Sequence, residues 1–435
     1  MSPLRILLLA PGSDPDSIST SLVAYSHSEA LARLHAVTLV VPRSNEEAIR
    51  RKSSSFKAVE AIDMPWLERI LSWSIRWIFK NDYGSHALTA FSYPFSLAFE
   101  WCAWRRMRTR IMAGDFDVVL RVSPINCVIP SPFAFFLRRG PIPFVIGPIN
   151  GGLPWPQGFS QAEKQKEWIT PLRNLYRILP FSKSTYRYAA AIIAGSSQTY
   201  AEFAAYRQKM FFIPENGLSR SLLDSAPSRS ISHGGLELIY VGRLVPYKAC
   251  DIALRGAAPL LRQDLARLTI VGDGPERQGL EQLTKFLGVE KVVSFCGWLS
   301  HSETMQLLQK ADVLVFPSVR EFGGGVAFEA LALGVVPVVV DFGGPGDIVH
   351  TEVGYKVALT NEDDMVSQIE KILFELERDR TLLDKLRQEG MRYARESLSW
   401  DAKAQLVTQI LHWTVGQGSK PDLPPPKILY NDMPV

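Results

Sequence analysis

Cysteine is scarce: 435 residues hold four, at Cys102, Cys127, Cys250 and Cys296, with no CxxC or Cys/His spacing among them. That pattern supports neither a disulfide framework nor a zinc site and favours a reducing, cytoplasmic compartment. Long apolar runs are lacking as well. None approaches the roughly eighteen residues that a bilayer requires. Leu4–Ala10 resembles the apolar core of a signal peptide, but it is too short and runs straight into Pro11-Gly12-Ser13-Asp14, so it reads as a first buried strand. Charge of one sign is missing too: 48 Lys and Arg against 44 Asp and Glu leave a net charge of +4, too mild to argue for a nucleic-acid partner. No His/carboxylate cluster has ligand spacing, and no metal site is expected.

What is present is a globular composition, 46% hydrophobic and 21% charged, long enough for two domains with a core each. Short β-rich runs alternate with helical segments. In the first half the runs are Ile6–Ala10, Val37–Val41, Asp117–Val122, Phe144–Gly147, Ala190–Ala194 and Phe211–Pro214. In the second they are Leu236–Val241, Arg267–Val271, Val292–Phe295, Val313–Phe316 and Val335–Val340. Continuous apolar strands between helices predict α/β domains, each with a parallel sheet covered on both faces. A breaker-rich stretch puts the hinge near 218–235, dividing the chain into 1–220 and 221–400. A helix over 401–415, expected to pack back on the first domain, and a Pro-rich tail over 416–435 follow. The segment 64–112 is crowded with aromatic and basic residues. Its stripe of Leu67, Ile70, Trp73, Trp77 and Ile78 reads either as a core-packing face or as an interfacial helix on anionic lipid.

Chemistry-bearing residues collect after the strands. Glu321-Phe322-Gly323-Gly324-Gly325-Val326-Ala327-Phe328-Glu329 follows Val313–Phe316 and leads into a short helix expected at Ala330–Gly334. A Gly-rich strand-to-helix turn aims backbone N–H groups at an anion, and a carboxylate within the helix can accept from sugar hydroxyls. An ordinary turn with two solvated acids is the plainer reading. Gly242-Arg243 and Lys248 follow Leu236–Val241, and two cations there can hold a diphosphate. Gly272-Asp273-Gly274-Pro275 and Asp341–Asp347 are further Gly-rich turns, and the first half offers Gly147–Gly152, with Asn150 and Gly151. Such loops border the ligand crevice of an open α/β sheet.

In order and spacing these motifs resemble the retaining GT-B glycosyltransferases of family 4, the glycosyl transferases group 1. The resemblance is close over about 190–350. It implies two Rossmann-like, doubly wound domains facing a cleft, the first binding the acceptor and the second the donor. Arg243 and Lys248 match the pair that holds the donor diphosphate, Glu321 the acid facing the donor sugar, and Glu329 the acid on the ribose. Gly242, Gly272, Gly274 and Gly323–Gly325 match the backbone that approaches the nucleotide sugar. No cofactor or metal is implied beyond the nucleotide-sugar co-substrate, since the cations balance the leaving diphosphate. The acceptor, a glycan or lipid-linked saccharide, would meet Ser13, Asp14, Asn150 and Gly151. Here the chain departs from the family, with one Gly in the loop after the first strand and no His after Val118–Val122. None of the seven histidines is given a role. An anionic membrane surface, on the inner face, is a further expected partner. The competing readings are a sugar-nucleotide epimerase or phosphorylase on the same scaffold, or a non-catalytic nucleotide-sugar-binding protein.

Overall fold

The computed structural model describes residues 2–17, 19–64, 85–151, 153, 179–225 and 234–426, with side chains of the helix at 85–112 described from 93 onward. The chain forms two compact units. One takes in the chain up to Glu215 together with Trp400 onward, and the other comprises Asn216–Ser399, to which Leu153 also belongs. The crossing therefore lies between Glu215 and Asn216, ahead of the expected hinge, of which 226–233 fall outside the described residues.

The first unit is built on a seven-stranded sheet of β1 (Arg5–Leu9), β2 (Ala36–Pro42), β3 (Ala58–Ile62), β4 (Val118–Arg121), β5 (Phe144–Ile149), β6 (Ala191–Ala194) and β7 (Met210–Phe212). Its order is β3-β2-β1-β4-β5-β6-β7, with every pairing parallel. The apolar runs alternate between two cores, as the two-residue period of a strand demands. Ile6 and Leu8 join Ala24, Leu31, Val407 and Leu411 on one face, while Leu7 and Leu9 join Phe99, Met107 and Phe133 on the other. The helices Thr20–Ala32 and Trp400–Thr414 thus cover one side, and Ser85–Met112 with Pro132–Phe136 the other. The last part of the chain is partly docked: Phe212 N donates to Leu423 O at 2.8 Å.

The second unit has a six-stranded sheet of β8 (Leu236–Val241), β9 (Ala266–Val271), β10 (Val293–Gly297), β11 (Val313–Phe316), β12 (Val336–Val340) and β13 (Tyr355–Val357). The order is β10-β9-β8-β11-β12-β13, again parallel. Strand order reverses between β1 and β4 in one sheet and between β8 and β11 in the other. Loops leaving adjacent strands diverge at such a point and open a crevice at the carboxyl edge. Strands β3 and β13 were not anticipated. The stripe at 66–79 lies outside the described residues, and among the described residues no helix is long and apolar enough to cross a membrane.

Candidate functional site

At the β8/β11 switch point the loop after β8 carries Gly242, Arg243 and Lys248, and the loop after β11 carries Glu321 and the three glycines. The structure joins them by an ion pair between Lys248 Nζ and Glu321 Oε2. The first loop is pinned rather than free. Val319 N donates to Tyr247 O at 3.0 Å, and the Tyr240 hydroxyl donates to Lys248 O at 3.2 Å. The Lys248 ammonium lies 5.3 Å from the centre of the Phe316 ring. Burial first, and then the like charge of Arg243, draw its pKa down from 10.5 to about 8; the Glu321 carboxylate opposes both.

The helix after the glycines spans Gly325–Ala332, five residues earlier than the sequence pattern suggested. Gly324 caps it at φ 58°, a left-handed conformation that glycine adopts without strain. Glu329 therefore sits one turn inside the helix. Its Oε1 meets His301 Nε2 at 2.8 Å, and this bond raises the His301 pKa above its ordinary value. His301 opens the His301–Leu308 helix, which Ser300 and Glu303 hold in a reciprocal capping box. The sequence reading gave no histidine a role, so His301 is a site residue it missed. Its only local signal was a place at a helix start after a strand.

Two backbone contacts fix the loops. A Cβ on Gly343 would lie 2.2 Å from Glu321 O, and one on Gly344 2.1 Å from Phe322 O; Gly344 N donates to Glu321 O at 3.1 Å. The turn after β12 thereby supports the Glu321–Gly325 loop from below. Likewise Gly272, after β9, presses against Gly242: a Cβ there would lie 2.0 Å from Gly242 O. Gly274 follows in the same turn, where Leu244 N donates to Asp273 O at 3.0 Å.

Residues 225–392 match the family model described as Glycosyl transferases group 1. This stretch is a glycosyl transferases group 1 domain. It holds every residue expected on the donor side: Gly242, Arg243, Lys248, Gly272, Gly274, Glu321, Gly323, Gly324, Gly325 and Glu329. The chain is 36% identical over 137 residues to an uncharacterized glycosyltransferase of Methanocaldococcus jannaschii, covering 31% of this chain and 35% of the relative. It is 31% identical over 211 residues to the D-inositol 3-phosphate glycosyltransferase of Thermomonospora curvata, covering 46% and 48%. The matches thus span about a third to a half of these relatives' length. Anabaena HepE, solved in complex with UDP, superimposes with a TM-score of 0.60 over 94% of this chain and 100% of its own, at 15% identity. That likeness concerns the fold, which is GT-B.

The expected acceptor-side residues lie outside the group 1 domain, in the first unit. Ser13 and Asp14 follow β1; Asn150 and Gly151 follow β5, two strands away. Ser13 is buried, and its hydroxyl has no hydrogen-bond partner among the described residues. Asp14 Oδ1 accepts from Asp16 N at 2.9 Å. Asn150 is buried, with Nδ2 donating to Glu215 Oε2 at 2.7 Å and Oδ1 accepting from Ser196 Oγ at 2.8 Å and Thr199 Oγ1 at 3.1 Å. Its amide is committed to holding the loop against the end of the unit, and a Cβ on Gly151 would lie 2.8 Å from Cys127 Sγ. Among the described residues no three His, Cys, Asp or Glu are gathered as metal ligands. Two Asp-x-Asp pairs exist, Asp14/Asp16 and Asp115/Asp117. Arginines take three of the four carboxylates: Arg51 holds Asp16, Arg110 Asp115 and Arg5 Asp117.

Proposed function

We propose that the protein transfers a sugar from a nucleoside-diphosphate sugar to a glycan or lipid-linked saccharide, as a retaining, metal-independent family 4 enzyme of polysaccharide or glycoconjugate assembly. The observation that carries this reading is the Lys248–Glu321 pair beside Arg243 at the switch point, with Glu329 one turn into a glycine-capped helix. Cleavage of the bond between the sugar's anomeric carbon and the diphosphate leaves negative charge on the departing oxygen. Arg243 and Lys248 supply fixed positive charge for it, and stabilising that charge lowers the barrier most. The leaving phosphate can itself take the acceptor's proton, so no protein base is required. Glu321, held by Lys248, faces the sugar; a diphosphate oxygen arriving at Nζ competes with it for the ammonium. Glu329 accepts from the ribose hydroxyls, with His301 setting its orientation. The UDP bound to HepE makes uridine diphosphate the first nucleotide to try. Work at the cytoplasmic face of a membrane follows where the acceptor is lipid-linked.

Calorimetric titration with uridine, guanosine and adenosine diphosphates and with inorganic pyrophosphate tests the assignment. Arg243→Ala should weaken all of them, whereas Glu329→Gln should weaken the nucleotides and leave pyrophosphate unchanged. Wild-type sugar transfer in both Arg243→Ala and Glu321→Ala would overturn the reading.

A further inference from the structure

The aromatic and basic residues that the sequence shows in one segment are joined in space by two others. The C-terminal half of the Ser85–Met112 helix presents Trp101, Trp104, Arg105 and Arg108 at i, i+3, i+4 and i+7, one helical face. The opposite cations, Arg106 and Arg110, turn to Glu60 at 3.7 and 3.0 Å. Trp101 and Trp104 continue into Phe136, with ring centres 5.7 and 5.0 Å away. Phe135 and Phe136 in turn meet Phe181 at 5.9 and 6.2 Å. Trp101 is 53% exposed and Tyr188, beside Phe135, 38%, so this cluster carries the core's edge, where Trp104 packs, out to the surface.

Its rim is cationic. Arg105, Arg108, Arg138, Arg139, Lys183 and Arg187 are exposed, and none has a carboxylate partner among the described residues. Arg138 lies 3.9 Å over the Phe135 ring. The stretches 94–112, 131–140 and 179–190 contain one acid, Glu100. It is buried against Arg121 at 3.0 Å and contributes nothing to the surface.

We propose that this face of the first unit docks on an anionic lipid bilayer. Trp and Tyr rings favour the headgroup level of a membrane, Arg stems lie along apolar surface while their charged heads stay in water, and cations near an anionic leaflet are drawn to it. A rim bearing cations and, among the described residues, no exposed acid complements lipid phosphates. The surface extends beyond the segment at 64–112 to Phe135–Arg139 and Phe181–Tyr188. It belongs to the first unit and the donor-side residues to the second, and its test requires no donor.

The full chain should co-sediment with phosphatidylcholine vesicles containing about one-third phosphatidylglycerol, and not with phosphatidylcholine alone, at low salt. Removing three cations in Arg105→Gln/Arg138→Gln/Arg139→Gln should weaken partitioning about fivefold per charge, roughly a hundredfold together. Trp101→Ser should abolish the part of the binding that survives added salt. Arg262→Gln/Lys285→Gln/Lys291→Gln, a charge-matched change on the second unit, should leave vesicle binding at the wild-type level. Equal binding to neutral and anionic vesicles, or wild-type binding by the triple variant, would overturn the proposal. So would a lipid-free dimer that Trp101→Ser dissolves, which would give the face to a second copy of the chain.

Discussion

Replacing Glu321 by Gln and Lys248 by Met, singly and together, tests the ion pair at the centre of the site. The Lys248 and Glu321 side chains are 15% and 18% exposed. Opposite charges about 4 Å apart attract by about 4 kcal/mol at an effective dielectric of about 20. Exposed pairs couple by about 0–1 kcal/mol, and losing one member of a buried pair costs about 3–5 kcal/mol. This pair lies toward the buried side, with residual screening, so a coupling of about 2 kcal/mol is expected. Glu321→Gln alone leaves Lys248 and Arg243 repelling each other without a counter-charge. Lys248→Met removes that repulsion, so the double variant should recover much of the loss. Urea unfolding of the four proteins gives the cycle; additivity to within about 0.5 kcal/mol would refute the pairing. Nucleoside diphosphate titration of the same set should separate the roles. Glu321→Gln should bind at least as tightly as wild type, having lost a nearby negative charge, while Lys248→Met should bind at least about tenfold more weakly. With the Lys248 pKa at about 8, wild-type affinity should decline as pH rises through that value and the ammonium is lost. An affinity flat from pH 7 to 9.5 would count against Lys248 as the phosphate ligand.

Gly324→Ala should destabilise the second unit by about 1–3 kcal/mol, from the left-handed backbone and a Cβ 2.4 Å from Pro345 Cγ; an unchanged urea midpoint would contradict the cap. In the first unit, burial lowers the Lys403 pKa from 10.5 to about 7. Above about pH 7 the native state sheds a proton that the unfolded state keeps up to 10.5, so stability should rise with pH by at most about 1.4 kcal/mol per unit. Lys403→Met should flatten that rise, as unfolding midpoints at pH 7, 8 and 9 would report.

The central strands were legible because β1, β11 and β12 are buried on both faces and read as nearly continuous apolar runs, and β8 departs from that only at Glu237. Strand β3 was not, since Glu60 and partly exposed neighbours blur its pattern on a sheet edge, and β13 spans three residues. The helix start at Gly325 escaped notice because glycine is a poor helix former; here the Gly343–Gly344 backbone, remote in sequence, supports the turn. Cations and acids after β8 and β11 were visible as a motif. The contact between His301 and Glu329 was not, because it depends on how two helices converge from positions 28 residues apart. The bond from Asn150 to Glu215 was out of reach for the same reason, since the two lie 65 residues apart.

The boundaries at Glu215/Asn216 and Ser399/Trp400 have a topological consequence. The main body of the second unit runs from Asn216 to Ser399, with Leu153 added from upstream. Near those ends Leu218 N donates to Leu398 O at 2.9 Å, and Leu218 bridges in parallel with Ser399. The 216–399 stretch, which contains the group 1 domain, thus has its entry and exit stapled side by side, and the described chain before and after it, at Glu215 and from Trp400, lies in the other unit. Cutting it out between 216 and 399 forfeits Leu153, whose carbonyl accepts from Arg320 Nε at 3.3 Å, but its adjacent ends can be rejoined through a short linker with little chain entropy to offset at the junction.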